Sequence, residues 1–466
     1  MNKKKLLIRY LTYDMLTAMV VWMLFMVFRK TVNDAQVFGS VNIFVPKFNY
    51  FSSLIIYPFT CLFVHYLSGF YLQPEKKTQV KIIFSSLITS AIISISIFFA
   101  LMLDDIVVSY EYYYYSLLVL FGLQFLLTYL ARTFVWTETR NNYRTKRWKI
   151  NTIIIGTGQK AAKMAEEVEK NSKKNHVVGF VAVDNIIAVD KDKILGHLPQ
   201  LENIIQANEV EEAIISLDNA DEQKLFNYIN ALYRYNIDIR FTPRVYEILT
   251  GSARIGSMGI NPLVNITQLN MSDWEISVKR FIDIVISVVA LILMIPMFIY
   301  FAIAIKRDSK GPVFYKQERI GRHGKPFDIL KFRTMYQGAE NGVPKLSSAD
   351  DERITKIGRI LRKYRIDELP QFWNVLKGEM SLVGPRPERK YYINQIIEEA
   401  PYYCLLYKIR PGLTSWGPIK IGYSDTIEKM VERLNYDIIY MENMSLLNDI
   451  KILILTLEII IKGKGV

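Results

Sequence analysis

"ISVKRFIDIVISVVALILMIPMFIYFAIAIKRDSKG", Ile276–Gly311, decides how this chain is laid out. Its apolar run from Phe281 to Ile305 is interrupted only by Asp283 near the start and Pro296 in the middle. A helix of about 20 apolar residues crosses a bilayer, so the run is long enough to span. Yet Lys279 and Arg280 precede it and Lys306 and Arg307 follow it. Positive flanks prefer the cytoplasmic side, and a proline in mid-helix removes a backbone donor and bends the axis. Both features favour a broken, re-entrant helix over 275–307. A straight span would carry everything after it to the opposite face.

The segments before this stretch support a membrane setting. Apolar runs cover Tyr10–Phe28, Phe51–Leu72, Ile82–Leu103 and Tyr112–Val135, predicting a four-helix transmembrane region over 1–138. Four such runs in succession argue against buried core helices, and the first lacks the small-residue site of a cleaved leader. Lys3, Lys4, Lys5 and Arg9 precede the first run; Glu75, Lys76, Lys77 and Lys81 lie between the second and third; Arg140, Arg144, Lys146, Arg147 and Lys149 follow the fourth. Asp104, Asp105 and Glu111 occupy the remaining loop. The positive-inside rule then puts the N-terminus and everything after about residue 136 in the cytoplasm, with Arg29, Lys30 and Lys47 a mild exception.

Composition agrees. Hydrophobic residues make up 51% of the 466, and the formal charge of +13 calls for an anionic partner: lipid head groups, phosphorylated substrates or nucleic acid. Cys61 and Cys404 form no spaced pair, and His65, His176, His197 and His323 are scattered. A disulfide framework, a thiolate zinc site and a Ser-His-Asp triad are therefore all unsupported.

Residues 150–248 read as an α/β module. "NTIIIGTGQKAAKMAEEVEK" is a strand, a glycine turn and a helix; "HVVGFVAVD" is a strand ending in Asp184; "EEAIISL" and "IDIRFTP" are further strands. That alternation predicts a doubly wound parallel sheet. Gly156 and Gly158 could admit a pyrophosphate at the helix N-terminus, but the third fingerprint position is Ala161. A turn that only supports the fold fits equally.

Residues 308–466 carry no further clean span. "RITKIGRILRKYRI" sets Ile354, Ile357, Ile360 and Leu361 on one helical face with Lys356, Arg359, Arg362 and Lys363 around the other. Such a helix either lies on an anionic membrane surface or packs on its own domain. In "RIDELPQFWNVLKGEMSLVGPRPE", Arg365–Glu388, Asp367 and Glu368 stand at what reads as a helix start before Pro370. A helix cap explains them locally. Three neighbouring segments point further. "LKFRTM" sets Lys331 and Arg333 on alternate positions, "VGPRPE" holds Arg386 between two prolines, and "IRPGLTSWGP" supplies Arg410 at a Pro-Gly turn. Arginines on rigid turns suit a bidentate grip on a diphosphate. Carboxylates and phosphate oxygens are the hard ligands Mg²⁺ prefers, and a carboxylate can attack phosphorus to form an acyl phosphate. One acid could face phosphorus while the other holds the metal.

Here the sequence resembles the polyisoprenyl-phosphate hexose-1-phosphate transferase family, the monotopic phosphoglycosyl transferases that begin bacterial surface-glycan assembly. The resemblance rests on "GPVFYKQERIGRHGKPFDILKFRTM", the acid-pair segment, "RPGLTSWGPI" and "YDIIYMENMSLLNDIKILILT". Through the order of its segments it extends to the family's long subclass. It implies a membrane α-helical bundle of four spans, an α/β Rossmann-like module, and a mixed, mainly α monotopic catalytic domain with a re-entrant helix. It implies Asp367 as the nucleophile on the β-phosphate of a UDP-sugar and Glu368 as the Mg²⁺ ligand. Arg386 would lie on the nucleotide side, and Lys331, Arg333 and Arg410 would contact the diphosphate. The acceptor implied is polyprenyl (undecaprenyl) phosphate at the cytoplasmic face of a bacterial inner membrane, with UMP released and no nucleic acid involved. Asp437 and Tyr440 fall in a family motif, where core or capping roles fit as well. "SWGP" departs from the W-A-Q-type sequence of many relatives. A homodimer is compatible with the extra surface of the bundle and module.

Two other readings compete. A membrane-anchored nucleotide-sugar dehydratase or epimerase needs a Tyr-x-x-x-Lys pair, and none occurs downstream of the spans. A non-enzymatic nucleotide-sensing scaffold leaves the acid pair and the arginine turns without a role.

Overall fold

The computed structural model describes residues 3–34, 48–102, 110–172, 174–183, 186–218, 222–242, 263–267, 269–339, 351–422 and 426–462. The chain divides into two compact units: residues 1–149 with 272–278, and residues 150–271 with 279–466.

The first unit is built from α1 (Lys3–Arg29), α2 (Phe48–Leu67), α3 (Gln79–Ile97) and α4 (Glu111–Arg144). Three helices, Lys3–Val32, Gln79–Ala100 and Glu111–Arg144, are long and apolar enough to cross a membrane; within α2 the apolar helix Ser53–Leu67 is shorter. The helices are apolar outward and partly polar inward. On α4 the buried positions Ser116, Gln124, Thr128, Arg132 and Thr139 recur at helical spacing. Arg132 Nη2 lies 2.8 Å from Asp14 Oδ2, and the Tyr71 hydroxyl donates to the same oxygen at 2.8 Å. An ion pair at such depth is tolerated only when each partner is satisfied.

The second unit opens with the α/β module: β1 (Ile150–Ile155), α5 (Gln159–Asn171), β2 (Asn175–Ala182), β3 (Ile194–His197), α6 (Leu201–Ala207), β4 (Glu212–Ile215), α7 (Glu222–Tyr233), β5 (Asp238–Phe241) and β6 (Val264–Asn265). The sheet order is β3-β2-β1-β4-β5-β6. Strands β1 to β5 run parallel and β6 joins the edge antiparallel. The doubly wound parallel sheet expected from the alternation is therefore present. β1 and β4 are near-continuous apolar runs, as strands covered on both faces require. Asp184, expected at the end of the second strand, lies outside the described residues.

Next come α8 (Asp273–Leu293) and α9 (Ile295–Asp308), bent by 60° at the break. Pro296 sits in the first turn of α9, where a proline costs no helical hydrogen bond. The remainder comprises β7 (Phe314–Ile320), β8 (Pro326–Phe332), α10 (Lys356–Lys363), a 3₁₀ turn (Ile366–Gln371), α11 (Phe372–Lys377), β9 (Ser381–Val383), α12 (Lys390–Glu399), a second 3₁₀ segment (Pro401–Lys408), β10 (Gly412–Thr414), α13 (Trp416–Ile421), α14 (Ile427–Glu442) and α15 (Leu446–Ile461). The module and this region share one core, in which Tyr228, Ile229 and Leu232 join Tyr403, Cys404 and Tyr407.

The basic helix is shorter than its pattern suggested. Thr355 caps α10 by accepting from the Gly358 amide at 3.0 Å, so Ile354 falls outside the helix and bridges to Met335. Leu361 is buried with Ile305 and Phe332, whereas Ile360 is exposed. Part of the apolar face therefore packs on the domain itself.

Candidate active site

β7 and β8 form an antiparallel hairpin that pairs Tyr315 with Lys331. The 3₁₀ turn bearing Asp367 and Glu368 packs against β8. Asn374, on α11, fixes this arrangement. Its Oδ1 accepts from the Leu330 amide at 3.0 Å, and its Nδ2 donates to the Asp328 carbonyl at 2.7 Å. The strand and the acid-bearing segment are thereby stapled one residue from Lys331.

The two acids stand in different surroundings. Successive residues of a 3₁₀ turn diverge by about 120°. Glu368 Oε1 accepts from Lys331 Nζ at 2.9 Å and Arg386 Nη2 at 3.2 Å, and Arg365 Nη1 approaches Oε2 at 3.7 Å. Asp367 is buried, and its carboxylate makes no hydrogen bond or ion pair with any described residue. Burial raises the Asp367 carboxyl above its ordinary range; Lys331 opposes that and the charge of Glu368 adds to it. Burial also works against Glu368, but Lys331, Arg386 and Arg365 together outweigh it and hold its carboxyl well below the usual range. The pair is split into a fixed anion and an unengaged, more basic carboxylate.

Neither side chain caps a helix. The residue before the turn is Arg365, in the left-handed region at φ 54°, and α11 starts from Gln371; neither start is capped by a side chain. The cap expected from sequence is replaced by a left-handed backbone position at Arg365, next to the two acids.

The other expected residues divide. Lys331 and Arg386 meet at Glu368. Arg333 does not join them: β8 ends at Phe332, and the Arg333 guanidinium donates to the Lys310 carbonyl at 2.9 Å and the Ser309 carbonyl at 2.8 Å. It straps the end of α9 to the hairpin. Arg410 Nε donates to the Gly378 carbonyl at 2.8 Å, bracing the end of α11. Sequence reasoning missed Arg365, Arg362 and Asn374. Arg362 belongs to the basic helix pattern and Arg365 heads the acid-pair segment, and their position directly before the acids is the signal for both. Of the residues left open, Tyr440 donates to Asp449 Oδ1 at 2.6 Å. Asp437 is buried facing Ser415 and the amides of Gly417 and Arg386; burial lifts it from 3.8 to about 6 against the pull of Arg433.

α8 anchors this floor. Lys279 Nζ lies 2.6 Å from Asp449 Oδ2, Arg280 donates to the carbonyls of Val375 and Leu376, and Asp283 accepts from Ser381 Oγ and the Leu382 amide. The polar residues flanking and interrupting the apolar run are thus the ones that grip β9 and α11.

Among the described residues, no group of three or more His, Cys, Asp or Glu could hold a metal ion. A cation here would take one or two carboxylates and complete its shell from phosphate and water, the usual arrangement for Mg²⁺. The residues fit such an ion: Glu368 Oε2 is approached only at 3.7 Å, and Asp367 is unengaged beside it.

The glycine turn of the α/β module is filled from within the chain. Asp218, after β4, accepts from the Lys160 amide at 2.9 Å, and Lys160 Nζ returns to the Asp218 carbonyl at 2.9 Å. A Cβ on Gly158 would lie 1.6 Å from Asp218 Oδ2, so the space beside this glycine is taken by a carboxylate of the chain itself. From the other side the Thr157 hydroxyl donates to the Ile186 carbonyl at 2.6 Å.

Comparison with known proteins bears on most of the chain beyond residue 66. Residues 274–463 match the bacterial sugar transferase family and residues 67–243 a CoA-binding domain family. The chain is 36% identical over 230 residues to the UDP-N-acetylgalactosamine-undecaprenyl-phosphate N-acetylgalactosaminephosphotransferase of Aeromonas hydrophila, covering 49% of this chain and 54% of that one. It is 34% identical over 263 residues to the UDP-glucose:undecaprenyl-phosphate glucose-1-phosphate transferase of Escherichia coli K12, covering 56% and 57%. The matches thus span little more than half the length of these curated relatives. An uncharacterized sugar transferase of Haemophilus influenzae is 31% identical over 369 residues, covering 74% of this chain and 75% of its own. With that breadth of match, the chain belongs to the bacterial sugar transferase family.

Proposed function

We propose that the protein transfers a hexose-1-phosphate from a UDP-sugar to polyprenyl phosphate at the cytoplasmic face of a bacterial inner membrane. The observation carrying this reading is the division of the acid pair: Glu368 is bound by cations while Asp367 beside it is unengaged. An Asp367 oxygen attacks the β-phosphorus, the P–O–P bridge breaks, and UMP leaves with the bridging oxygen. An oxygen of polyprenyl phosphate then attacks the same phosphorus, the aspartyl P–O bond breaks, and the Asp367 carboxylate is regenerated. Lys331 and Arg386 fix Glu368 and present positive charge where the phosphoryl oxygens gather, the electrostatic contribution phosphoryl transfer depends on. Mg²⁺ held by Glu368 would neutralise further diphosphate charge.

In this reading α1 to α4 are four spans, and α8 with α9 forms a re-entrant helix that keeps the catalytic region on the cytoplasmic side. The 60° bend and the positive charges at both ends support that topology. The relatives' names support a UDP-hexose donor and undecaprenyl phosphate as acceptor. The test is to incubate membranes containing the protein with Mg²⁺, polyprenyl phosphate and a panel of labelled UDP-hexoses. Label should enter the lipid phase with one donor, and Asp367→Asn should abolish both transfer and the trapped phosphosugar-enzyme. Transfer by that variant at the wild-type rate would refute the covalent route.

A further inference from the structure

The Pro385–Arg386–Pro387 turn owes its position to a buried ion cluster behind it. Glu388 is buried, with one carboxylate oxygen paired to Arg433 of α14 and the other 3.2 Å from Arg319 Nη1 of β7. Arg319 Nη1 also donates to the Pro387 carbonyl at 3.1 Å, and the Ile320 amide donates to the Glu388 carbonyl at 3.0 Å. One turn after Arg433, Asp437 faces the Arg386 amide. Burial works against the Glu388 carboxylate, but Arg433, Arg319 and Arg386 outweigh it and keep it ionised.

Arg319, Arg386, Arg389 and Arg433 crowd this corner, and Arg386 is the one of them that pairs with Glu368 among the described contacts. The buried Glu388 carboxylate between Arg319 and Arg433 offsets their repulsion, while the Arg386 guanidinium points to Glu368 at 3.2 Å. Gly417 makes room for the clamp: a Cβ there would lie 2.3 Å from Arg433 Cγ, so only glycine lets the arginine stem pass.

We propose that Glu388, clamped by Arg319 and Arg433 and dependent on Gly417, is a positioning residue that aims Arg386 at the acid pair and so sets affinity for the nucleoside-diphosphate donor. This rests on the transferase reading. It differs from a packing role because its effect must pass through Arg386.

The test uses the full chain in detergent and measures binding of the UDP-hexose panel by calorimetry, which needs no turnover. Glu388→Asp keeps the charge but is one methylene too short to hold both arginines. It should weaken binding by about tenfold when measured well below its thermal midpoint, which the loosened buried ion cluster lowers. Gly417→Ala should do the same by displacing Arg433. In an Arg386→Ala background neither change should weaken binding further. If Glu388→Asp fails to fold, Gly417→Ala carries the test alone. Wild-type affinity in a folded variant overturns the proposal, as does a loss that persists in full without Arg386. A wild type that binds no UDP-hexose overturns the transferase reading and this proposal together; binding by the wild type and equal binding by the variants overturns this one only.

Discussion

Lys331 Nζ stands 2.9 Å from Glu368 Oε1, held there by the Asn374 staple between β8 and α11. It is the leading favourable charge on both acids, lowering the carboxyl pKa of Asp367 and Glu368 alike. Lys331→Met should therefore reduce kcat/KM by roughly 10²–10³-fold, the scale of losing one preorganised electrostatic group. Asn374→Ala should reproduce part of that loss by loosening the strand. Steady-state kinetics with the donor that supports turnover checks both. An unimpaired Lys331→Met would remove the lysine from the site.

The same charge sets a pH dependence. Burial and Glu368 raise the Asp367 carboxyl above its ordinary range, and the nucleophilic role proposed for it requires the ionised form. As pH falls through that raised value Asp367 takes up a proton and the rate drops, so the acid limb of kcat/KM should lie above the ordinary aspartate range. Replacing Lys331 removes an influence that favours the ionised form, so the limb should move to higher pH. A limb that shifts downward in Lys331→Met would contradict the electrostatics described here.

Arg333 stands apart from the arginines gathered at the acid pair. Its hydrogen bonds end on the carbonyls of Ser309 and Lys310 and on Ser309 Oγ. Arg333→Ala should cost roughly 2–4 kcal/mol of stability through those unmade charged hydrogen bonds. Any properly folded fraction should keep the wild-type KM for the donor. Denaturant melts read beside KM decide it: a raised KM with unchanged stability would return Arg333 to the substrate.

These outcomes mark what the sequence could convey. Periodicity suffices for the parallel sheet, because β1 and β4 are apolar runs between turn residues. Proline suffices for the bend at Pro296, since its effect is local. The clustering of Lys331 and Arg386 at Glu368 was legible because short charged motifs at turns suit a common anionic site, and the structure brings those two cations to that carboxylate. Arg333 was not: the i, i+2 spacing implies a shared face only while the strand continues, and β8 stops at Phe332. Nor were Asp14 with Arg132, or Glu388 with Arg433, because each pair is joined by the fold across a long stretch of chain.

Asp218 belongs to the same class, and its carboxylate occupies the glycine turn of the α/β module. In dinucleotide-binding sheets the pyrophosphate lies on the first glycine turn at the helix N-terminus. Here that place holds the Asp218 carboxylate, which accepts from the Lys160 amide and lies against Gly158. A phosphate would have to displace an intramolecular anion already satisfied by the helix. The wild-type chain should therefore show no saturable thermal shift or calorimetric signal with coenzyme A or NAD. Asp218→Ala removes the stand-in, costing about 1 kcal/mol as a lost helix cap, and should open the turn to weak binding of phosphate-bearing ligands. Tight coenzyme A binding by the wild type that is lost in Asp218→Ala would reverse the assignment, making Asp218 a ligand contact instead of a plug.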